Sequence, residues 1–360
     1  MKIHAAVLRD GAAPYAIEEV ELAEPGPGEV RVRIVGSGMC HTDVLARSGM
    51  AALPMITGHE GSGVIDAVGD GVSTLSVGDH VVLSFVSCGT CENCAKGQRA
   101  YCETFLPRNL TGRNLDGSTS VRDADGNEIA SRWFGQSSLA THCIASTRNA
   151  VKVDSDLPIE LFGPLGCGIQ TGAGSILLAM RVQAGTSLVV FGSGAVGLAA
   201  VMAGVVAGAT TIIAVDLHES RLALASELGA THVLRGDDPG LVGQVHDITG
   251  GGAHYSFDTT GIPSVMQSAV ACLRMTGVCG YVGVQTGNIE FDGFALVGKT
   301  VMGILEGSAD PHRFIPQLID LWRTGRFPFD RLITTYRLDE VNEAEQSSLS
   351  GGAIKPVFML

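Results

Sequence analysis

The stretch that decides the fold runs from residue 188 to residue 197 and reads Leu188-Val189-Val190-Phe191-Gly192-Ser193-Gly194-Ala195-Val196-Gly197. Four apolar residues lead directly into the pattern G-x-G-x-x-G. After a strand, such glycines permit a tight turn, close approach of a pyrophosphate and close packing of the next helix. The phosphates of a dinucleotide would then lie at the helix N-terminus, bound by Gly192, Gly194, Ala195, Val196 and Gly197.

Asp216 ends the next apolar run, Thr211 to Val215. It follows Gly197 by about 20 residues, the distance at which an acidic side chain accepts hydrogen bonds from the adenosine ribose. Because a carboxylate would repel a 2′-phosphate, Asp216 favours NAD over NADP. The alternative is a glycine-rich turn followed by an unrelated aspartate.

The rest of the chain predicts two domains of different character. After Asp216, helical and apolar segments alternate, as in His218 to Leu228 followed by His232 to Leu234, which indicates a doubly wound parallel sheet of the α/β class. The first 150 residues instead show short alternating strands such as Val30 to Ile34, and turns such as Glu24 to Gly28. A length of 360 residues accommodates both domains.

Composition excludes several classes of function. Only 17% of residues are charged and the net charge is -13, which argues against a nucleic-acid groove. The uncharged run from Val182 to Val215 is long enough for a membrane span, but its glycines divide it into strand, helix and strand. The N-terminus has too short an apolar stretch for a signal peptide, and nine cysteines is an odd number, so we expect a reducing cytoplasm and no membrane.

Four cysteines lie in one polar stretch, CGTCENCAKGQRAYC, in which no hydrophobic core explains four thiols. Thiolates with two-residue gaps converge on one ion, and four sulfurs without an open position describe a closed structural zinc site. The alternatives are an iron–sulfur cluster and two disulfides, but the longer last gap and the absence of a following proline fit the cluster less well. The predicted ligands are Cys88, Cys91, Cys94 and Cys102.

A second set of metal ligands lies outside that stretch. Cys40, His59 and Cys167 each lie close to glycine in sequence, in Gly38-Met39-Cys40, Gly58-His59-Glu60 and Gly166-Cys167-Gly168. Two cysteines and one histidine form a catalytic zinc set, because they leave the fourth position open for water or substrate. Taken singly, each of the three residues is more often an ordinary core thiol or a structural histidine.

In motif order as well as content, and over essentially its whole length, the chain resembles the zinc-dependent medium-chain alcohol dehydrogenases. Cys40-His41-Thr42-Asp43 and the segment 166–174 are most similar to the bacterial aryl-alcohol (benzyl alcohol) dehydrogenases. The resemblance implies a Rossmann domain, residues 169–304, inserted in a β-rich GroES-like catalytic domain made of residues 1–168 and 305–360. It also implies two zinc ions per subunit, NAD, and a homo-oligomer, either a dimer or a tetramer.

The same resemblance implies hydride transfer between NAD and a primary aromatic or bulky apolar alcohol, whose hydroxyl pKa zinc lowers. Thr42 would hydrogen-bond the alcohol oxygen and Glu60 would lie close behind the metal held by the Cys2His set. Asp43 would orient His59 through the other imidazole nitrogen.

For the coenzyme, the resemblance implies that Arg221 contacts the adenosine ribose, Lys355 the pyrophosphate and Thr171 the nicotinamide. Phe85, Leu139 and Val284 would line an apolar substrate pocket, with Val284 also beside the coenzyme.

One position departs from the family pattern. Better-known members have a histidine five residues beyond the first zinc cysteine that passes the alcohol proton to solvent, whereas this chain has Leu45. His41 is a candidate replacement, since histidine titrates near neutrality, and the competing interpretation is that His41 only contacts the pyrophosphate.

Two other functions stay open at this point. The segment from Asn114 to Phe134 resembles the extra loop of longer members, which raises a glutathione-dependent formaldehyde dehydrogenase, and a general short-chain alcohol dehydrogenase is a further alternative. A catalytically silent nucleotide-binding protein would share the fold, but all three catalytic ligands are present.

Overall fold

The structure is a computed structural model that describes residues 1–49, 51–285 and 287–360. The chain divides into two compact units. The first comprises Met1–Cys167, Asp310–Gln317 and Asp330–Leu360, and the second comprises Gly168–Ala309 and Leu318–Phe329. The sequence places the breaks at 168/169 and 304/305, and it gives no sign that residues 318–329 belong with the second unit.

The first unit is rich in β-structure up to Cys167. Its strands are β1 (Lys2–Leu8), β2 (Ala16–Leu22), β3 (Glu29–Gly38), β4 (Met55–Ile56), β5 (Glu60–Val68), β6 (His80–Leu83), β7 (Val121–Arg122), β8 (Glu128–Ile129), β9 (His142–Ser146) and β10 (Ala150–Val153). Its helices are short: α1 (His41–Leu45), α2 (Glu92–Ala95) and α3 (Phe105–Asn109). Strand β3 alternates as predicted, because Val30, Val32 and Ile34 are buried in the core.

The second unit alternates helices and strands. In chain order these are α4 (Gly168–Gly174), a π-helical turn (Ser175–Ala179), β11 (Ser187–Phe191), α5 (Ala195–Ala207), β12 (Thr211–Asp216), α6 (Glu219–Glu227), β13 (His232–Arg235), α7 (Leu241–Thr249), β14 (Ala253–Asp258), α8 (Pro263–Ala271), β15 (Leu273–Tyr281) and β16 (Thr300–Gly303). The remaining elements of the chain are α9 (Pro311–Arg323), β17 (Ile333–Arg337), α10 (Val341–Ser350) and β18 (Lys355–Met359).

Within the described residues, the second unit contains one parallel sheet in the order β13-β12-β11-β14-β15-β16. This order is that of the doubly wound dinucleotide-binding fold and confirms the predicted α/β class. Most of helix α5 is buried, which explains the uncharged run around it. No described helix is both long and apolar enough to cross a membrane.

Strand β15 differs from its prediction. The sequence places a strand from Val278 to Val284, whereas β15 begins at Leu273 and ends at Tyr281. The pairing register of β15 with β14 shifts near the start of β15. Arg274 and Met275 are both exposed there, so the sequence of this part lacks the alternation of apolar and polar residues that would predict a strand. Val284 therefore lies beyond the sheet.

The first unit positions three chain segments at one place. The described strands form one sheet in the order β4-β1-β2-β7-β8 and another in the order β10-β6-β5-β3-β18-β17, with β9 also on β3. In the second sheet, Gly38 at the end of β3 lies opposite Glu60 at the start of β5 and opposite Val357 of β18. The strand ends thereby bring the segments around Cys40, His59 and Lys355 together.

Candidate active site and metal centres

The four cysteines of the polar stretch form one compact group of thiols. Their sulfur atoms all lie within 4.8 Å of one another, with 3.9 Å between the sulfurs of Cys88 and Cys94. Tetrahedral coordination at a Zn–S distance of about 2.3 Å separates sulfurs by about 3.8 Å, so the group fits a single ion. All nine cysteines are free thiols, and the disulfide alternative is therefore wrong.

Backbone N–H groups stabilise a thiolate in this cysteine group, which favours cation binding. The N–H groups of Thr90 and Cys91 donate to the sulfur of Cys88 at 3.4 and 3.2 Å, and they hold the pKa of Cys88 at about 5. Burial instead raises the pKa of Cys94 to about 12. A bound cation would offset that burial, since metal ligation deprotonates a coordinating thiol.

The second ligand group consists of Cys40, His59, Glu60 and Cys167, whose ligand atoms also lie within 4.8 Å of one another. Nε2 of His59 is buried and has no hydrogen-bond partner among the described residues. A buried polar atom without a partner is costly, and a metal ion would satisfy it. Two thiols and this imidazole nitrogen therefore fit zinc.

Asp43 fixes the geometry of this group. Its Oδ1 lies 2.9 Å from Nδ1 of His59 and accepts the N–H of Gly58 at 2.9 Å, while Oδ2 accepts the N–H of Cys40 at 3.0 Å. The carboxylate joins two segments that carry metal ligands, and it leaves Nε2 of His59 as the nitrogen available to a metal.

The surroundings favour a thiolate at Cys40. A hydrogen bond with the Cys167 thiol has the largest effect on the pKa of Cys40, which lies well below its ordinary value, and Lys355 and His59 act in the same direction. Burial lowers the pKa of His59, but Asp43 and Cys40 together outweigh burial and raise that pKa well above its ordinary value.

Lys355 lies at this site and not on an open surface. Its ammonium donates to both oxygens of Glu60 at 2.8 and 2.9 Å and to the carbonyl of Met39 at 3.2 Å. Burial lowers the pKa of Lys355, but the Glu60 carboxylate, together with Cys40 and Cys167, outweighs burial and raises the pKa. All three N–H donors of the ammonium face protein acceptors, so no donor is left for a phosphate. The predicted contact of Lys355 with the pyrophosphate is therefore corrected to a contact with Glu60.

The remaining candidates near Cys40 lie on helix α1. Thr42 is half-buried, with its hydroxyl 3.9 Å from the sulfur of Cys40, and His41 is exposed at the first position of the helix. Leu45, at the position where the family pattern has a histidine, is half-buried at the end of the same helix.

Gln136 and Phe134 also contribute to the site, and sequence reasoning assigned neither of them to it. The amide of Gln136 donates to the carbonyl of His59 at 2.8 Å and accepts the N–H of Gly61 at 3.0 Å. The ring of Phe134 stacks on the imidazole of His59, with centroids 4.5 Å apart. No spacing in the sequence joins these residues to His59, so no local signal reveals them.

The predicted pocket residues Phe85 and Leu139 lie deep in the first unit. Both are fully buried, and Phe85 packs against Phe105, which in turn contacts Phe134 edge-on. Leu139 lies against Gly58, where a side chain on the glycine would collide with it. Val284, the third predicted pocket residue, is 52% exposed and belongs to the second unit.

The second unit contains a cleft of about 550 Å³ at the carboxyl ends of strands β11 and β12, lined in part by Gly192 and Gly194. Gly192 has φ +89° and Gly197 lies so close to the carbonyl of Gly192 that a side chain could not fit. A side chain on Gly194 would instead point into open space, and no side chain caps α5 there. The helix N-terminus is thereby open to an anion, as a pyrophosphate requires.

Asp216 and Arg221 line the same cleft. The two oxygens of Asp216 accept the N–H groups of Ser193 at 2.6 Å and His218 at 2.9 Å, which fixes the carboxylate at the cleft wall. Leu217 and Ile262, which sequence reasoning missed, also line it with exposed apolar side chains suited to a flat ring.

Thr171 lies on helix α4 of the second unit, nearly buried. Its hydroxyl is 3.4 Å from Oε2 of Glu306, and the amide of Gln170 is 3.4 Å from the same oxygen. The backbone of Gly307 packs directly against α4, so a side chain at position 307 would collide with the carbonyl of Gln170.

Comparison with known proteins gives matches along most of the chain. The sequence model of the alcohol dehydrogenase GroES-like domain matches residues 26–155, and that of the zinc-binding dehydrogenases matches residues 195–323. A geraniol dehydrogenase of Castellaniella defragrans is 47% identical over 361 residues, which cover 99% of this chain and 97% of that protein.

Two crystal structures are similar over the entire chain. An alcohol dehydrogenase zinc-binding domain protein from Burkholderia ambifaria has a TM-score of 0.98 and 46% identity, and a benzyl alcohol dehydrogenase from Acinetobacter calcoaceticus has a TM-score of 0.96 and 42% identity. Each comparison covers 100% of this chain and 99% of the other.

Proposed function

This chain belongs to the zinc-dependent medium-chain alcohol dehydrogenase family, and on that premise we propose that its substrates are primary alcohols whose reacting carbon adjoins an aromatic ring or a C=C bond. The chain is a zinc-dependent alcohol dehydrogenase that uses Zn²⁺ and NAD(H). The relatives support the narrower substrate class, because benzyl alcohol is benzylic and geraniol is allylic.

The stack of Phe134 on His59 is the observation that carries the proposal. It begins a run of aromatic rings, Phe134, Phe105 and Phe85, with centroid distances of 6.3 and 5.5 Å. All three rings are buried, so the metal ligand His59 has apolar surroundings, which supports a substrate with a flat, apolar group next to the reacting carbon.

The residues of the site have distinct roles in the proposed reaction. Cys40, His59 and Cys167 would hold the catalytic zinc, with His59 oriented by Asp43. The bound zinc supplies a Lewis acid that lowers the pKa of the alcohol hydroxyl, and NAD supplies the hydride acceptor. The Thr42 hydroxyl would accept the hydrogen bond of the substrate hydroxyl and pass its proton toward His41.

We propose NAD as the preferred coenzyme, because the Asp216 carboxylate lies at the wall of the coenzyme cleft. Its two backbone hydrogen bonds keep the negative charge in place, so a 2′-phosphate would meet a fixed like charge.

A homo-oligomer and a cytoplasmic location belong to the same proposal. Strand β16 is an edge of the parallel sheet, and near it Phe294 is 87% and Met275 63% exposed, an apolar surface that a second copy would cover. Nine free thiols favour a reducing compartment. Sedimentation velocity on the purified protein tests the first statement, with a dimer or tetramer expected and a monomer contradicting it.

A steady-state assay tests the substrate class. We expect kcat/KM for benzyl alcohol, cinnamyl alcohol and geraniol to exceed that for ethanol by about 100-fold or more, since each missing methylene costs about 1–3 kcal/mol of discrimination. Formaldehyde with glutathione is the control arm. Equal values for ethanol and benzyl alcohol, or a requirement for glutathione, would overturn the proposal.

A further inference from the structure

A cavity of about 310 Å³ in the first unit is lined by an excess of positive charge. Four arginines line it, and the only carboxylate in its lining among the described residues is that of Glu29. None of the eight cysteine, histidine and glutamate residues of the two ligand groups lines it. In a chain with net charge -13, this concentration of cations stands out from the rest of the surface.

Arg132 is the buried member of the four, with its side chain 6% exposed. Its terminal nitrogens donate to Glu29 at 2.7 Å and to the carbonyl of Ile144 at 3.1 Å. Its Nε is buried with no hydrogen-bond partner among the described residues. A buried N–H group without an acceptor is costly, so Arg132 is a fixed cation of the cavity lining with one donor unused.

Arg108 and Arg148 lack acidic partners in the described part of the chain. Arg108 donates from Nε to the Thr104 hydroxyl at 2.8 Å, and Arg148 donates to the carbonyl of Cys88. A guanidinium has five N–H donors, so most donors of both residues remain for a ligand. Arg113, by contrast, is paired with Glu128 at 2.8 Å and contributes less.

We propose that this cavity binds a small oxyanion of two or more negative charges, of the phosphate class. The planar fork of a guanidinium matches two oxygens of such an ion, and several guanidinium groups around one concavity select multiple charge over chloride. The Arg148 contact with Cys88 connects the cavity to the structural cysteine group, so a bound anion would also hold that segment in place.

Isothermal titration of the zinc-loaded protein with inorganic phosphate tests the proposal. Saturating NADH occupies the coenzyme phosphate site, and constant ionic strength keeps electrostatic screening the same throughout the titration. We expect a saturable isotherm for phosphate and none for chloride. Arg108→Met and Arg148→Met should each weaken phosphate binding at least about tenfold, because a charge-assisted hydrogen bond contributes about 1.5–3 kcal/mol.

Arg326→Met is the matched control, since Arg326 is exposed and lies outside the cavity. It should leave phosphate binding unchanged. Bound phosphate should also slow the release of structural zinc to a chelator in the wild type and not in Arg148→Met. No saturable binding, equal binding by all variants, or a change of oligomeric state in Arg108→Met without phosphate binding would each overturn the proposal, the last because a carboxylate of a second copy would then be the occupant.

Discussion

The ammonium of Lys355 lies 2.8 and 2.9 Å from the two carboxylate oxygens of Glu60, and the two side chains are 3% and 0% exposed. The pair is therefore desolvated, and neither charge has water to replace its partner. Glu60 is also one of the four residues of the catalytic ligand group. Lys355 thus links the last strand of the chain to the metal site.

Removing one member of this pair should destabilise the protein strongly. Lys355→Met removes the cation from the fully buried Glu60 carboxylate, which costs about 3–5 kcal/mol. The measurement is the shift of the thermal unfolding midpoint of the first unit. Lys2→Met, which breaks the exposed pair with Glu19, is the control and should change the midpoint little. The double variant Lys355→Met/Glu60→Gln should recover part of the lost stability. An unfolding midpoint as low in the double variant as in Lys355→Met alone would contradict the explanation.

Replacing one cysteine of the polar stretch should remove one zinc and weaken the fold. Cys91→Ser is expected to bind one zinc per chain by metal analysis, where the wild type binds two, and to unfold at lower temperature because a closed site contributes to folding. Cys143→Ala, at a buried thiol outside both ligand groups, should keep both ions. A wild type with a single zinc would refute the assignment of the stretch.

Asp43→Asn should loosen the catalytic zinc without changing the side-chain volume. The amide can offer only one acceptor oxygen, whereas Asp43 accepts from Cys40, Gly58 and His59. Loss of such a partner weakens metal affinity by about 10–100-fold. The measurement is the rate at which a chelator removes the zinc held by Cys40, His59 and Cys167. Asp66→Asn, at a half-exposed carboxylate beside Arg31, is the control, and equal zinc release in the two variants would contradict the role.

Asp216→Asn should shift coenzyme preference toward NADP. The variant removes the charge and keeps one oxygen for the backbone N–H groups, so we expect the ratio of kcat/KM for NADP over NAD to rise about tenfold or more. Asp237→Asn lines the same cleft but is paired with Arg235, and it serves as the control. A wild-type preference for NADP would refute the ribose role of Asp216.

His41→Gln should lower kcat for alcohol oxidation and leave the dissociation constant of NADH unchanged, if His41 accepts the substrate proton. Leu45→His in the same variant should recover turnover, because it restores a histidine at the family position on the same helix. Weaker NADH binding with unchanged kcat would instead leave only the pyrophosphate role.

The sequence by itself determined the features that depend on local spacing. The glycines from Gly192 to Gly197 require a strand, a tight turn and a helix, and the parallel sheet follows from that unit and the alternation after it. Two-residue gaps between cysteines likewise bring the thiols to one ion, because this spacing is local and does not depend on contacts with distant parts of the chain.

Only the tertiary structure decided the contacts that complete the site. Glu60 and Lys355 meet because β5 and β18 both pair with β3, and Gln136 and Phe134 reach His59 from a segment with no motif. Such partners are far apart in sequence and share no periodicity, so nothing local encodes them. The resemblance placed Lys355 at the pyrophosphate, whereas sheet order and burial pair its ammonium with the carboxylate of Glu60. A buried ammonium requires a buried carboxylate as its partner.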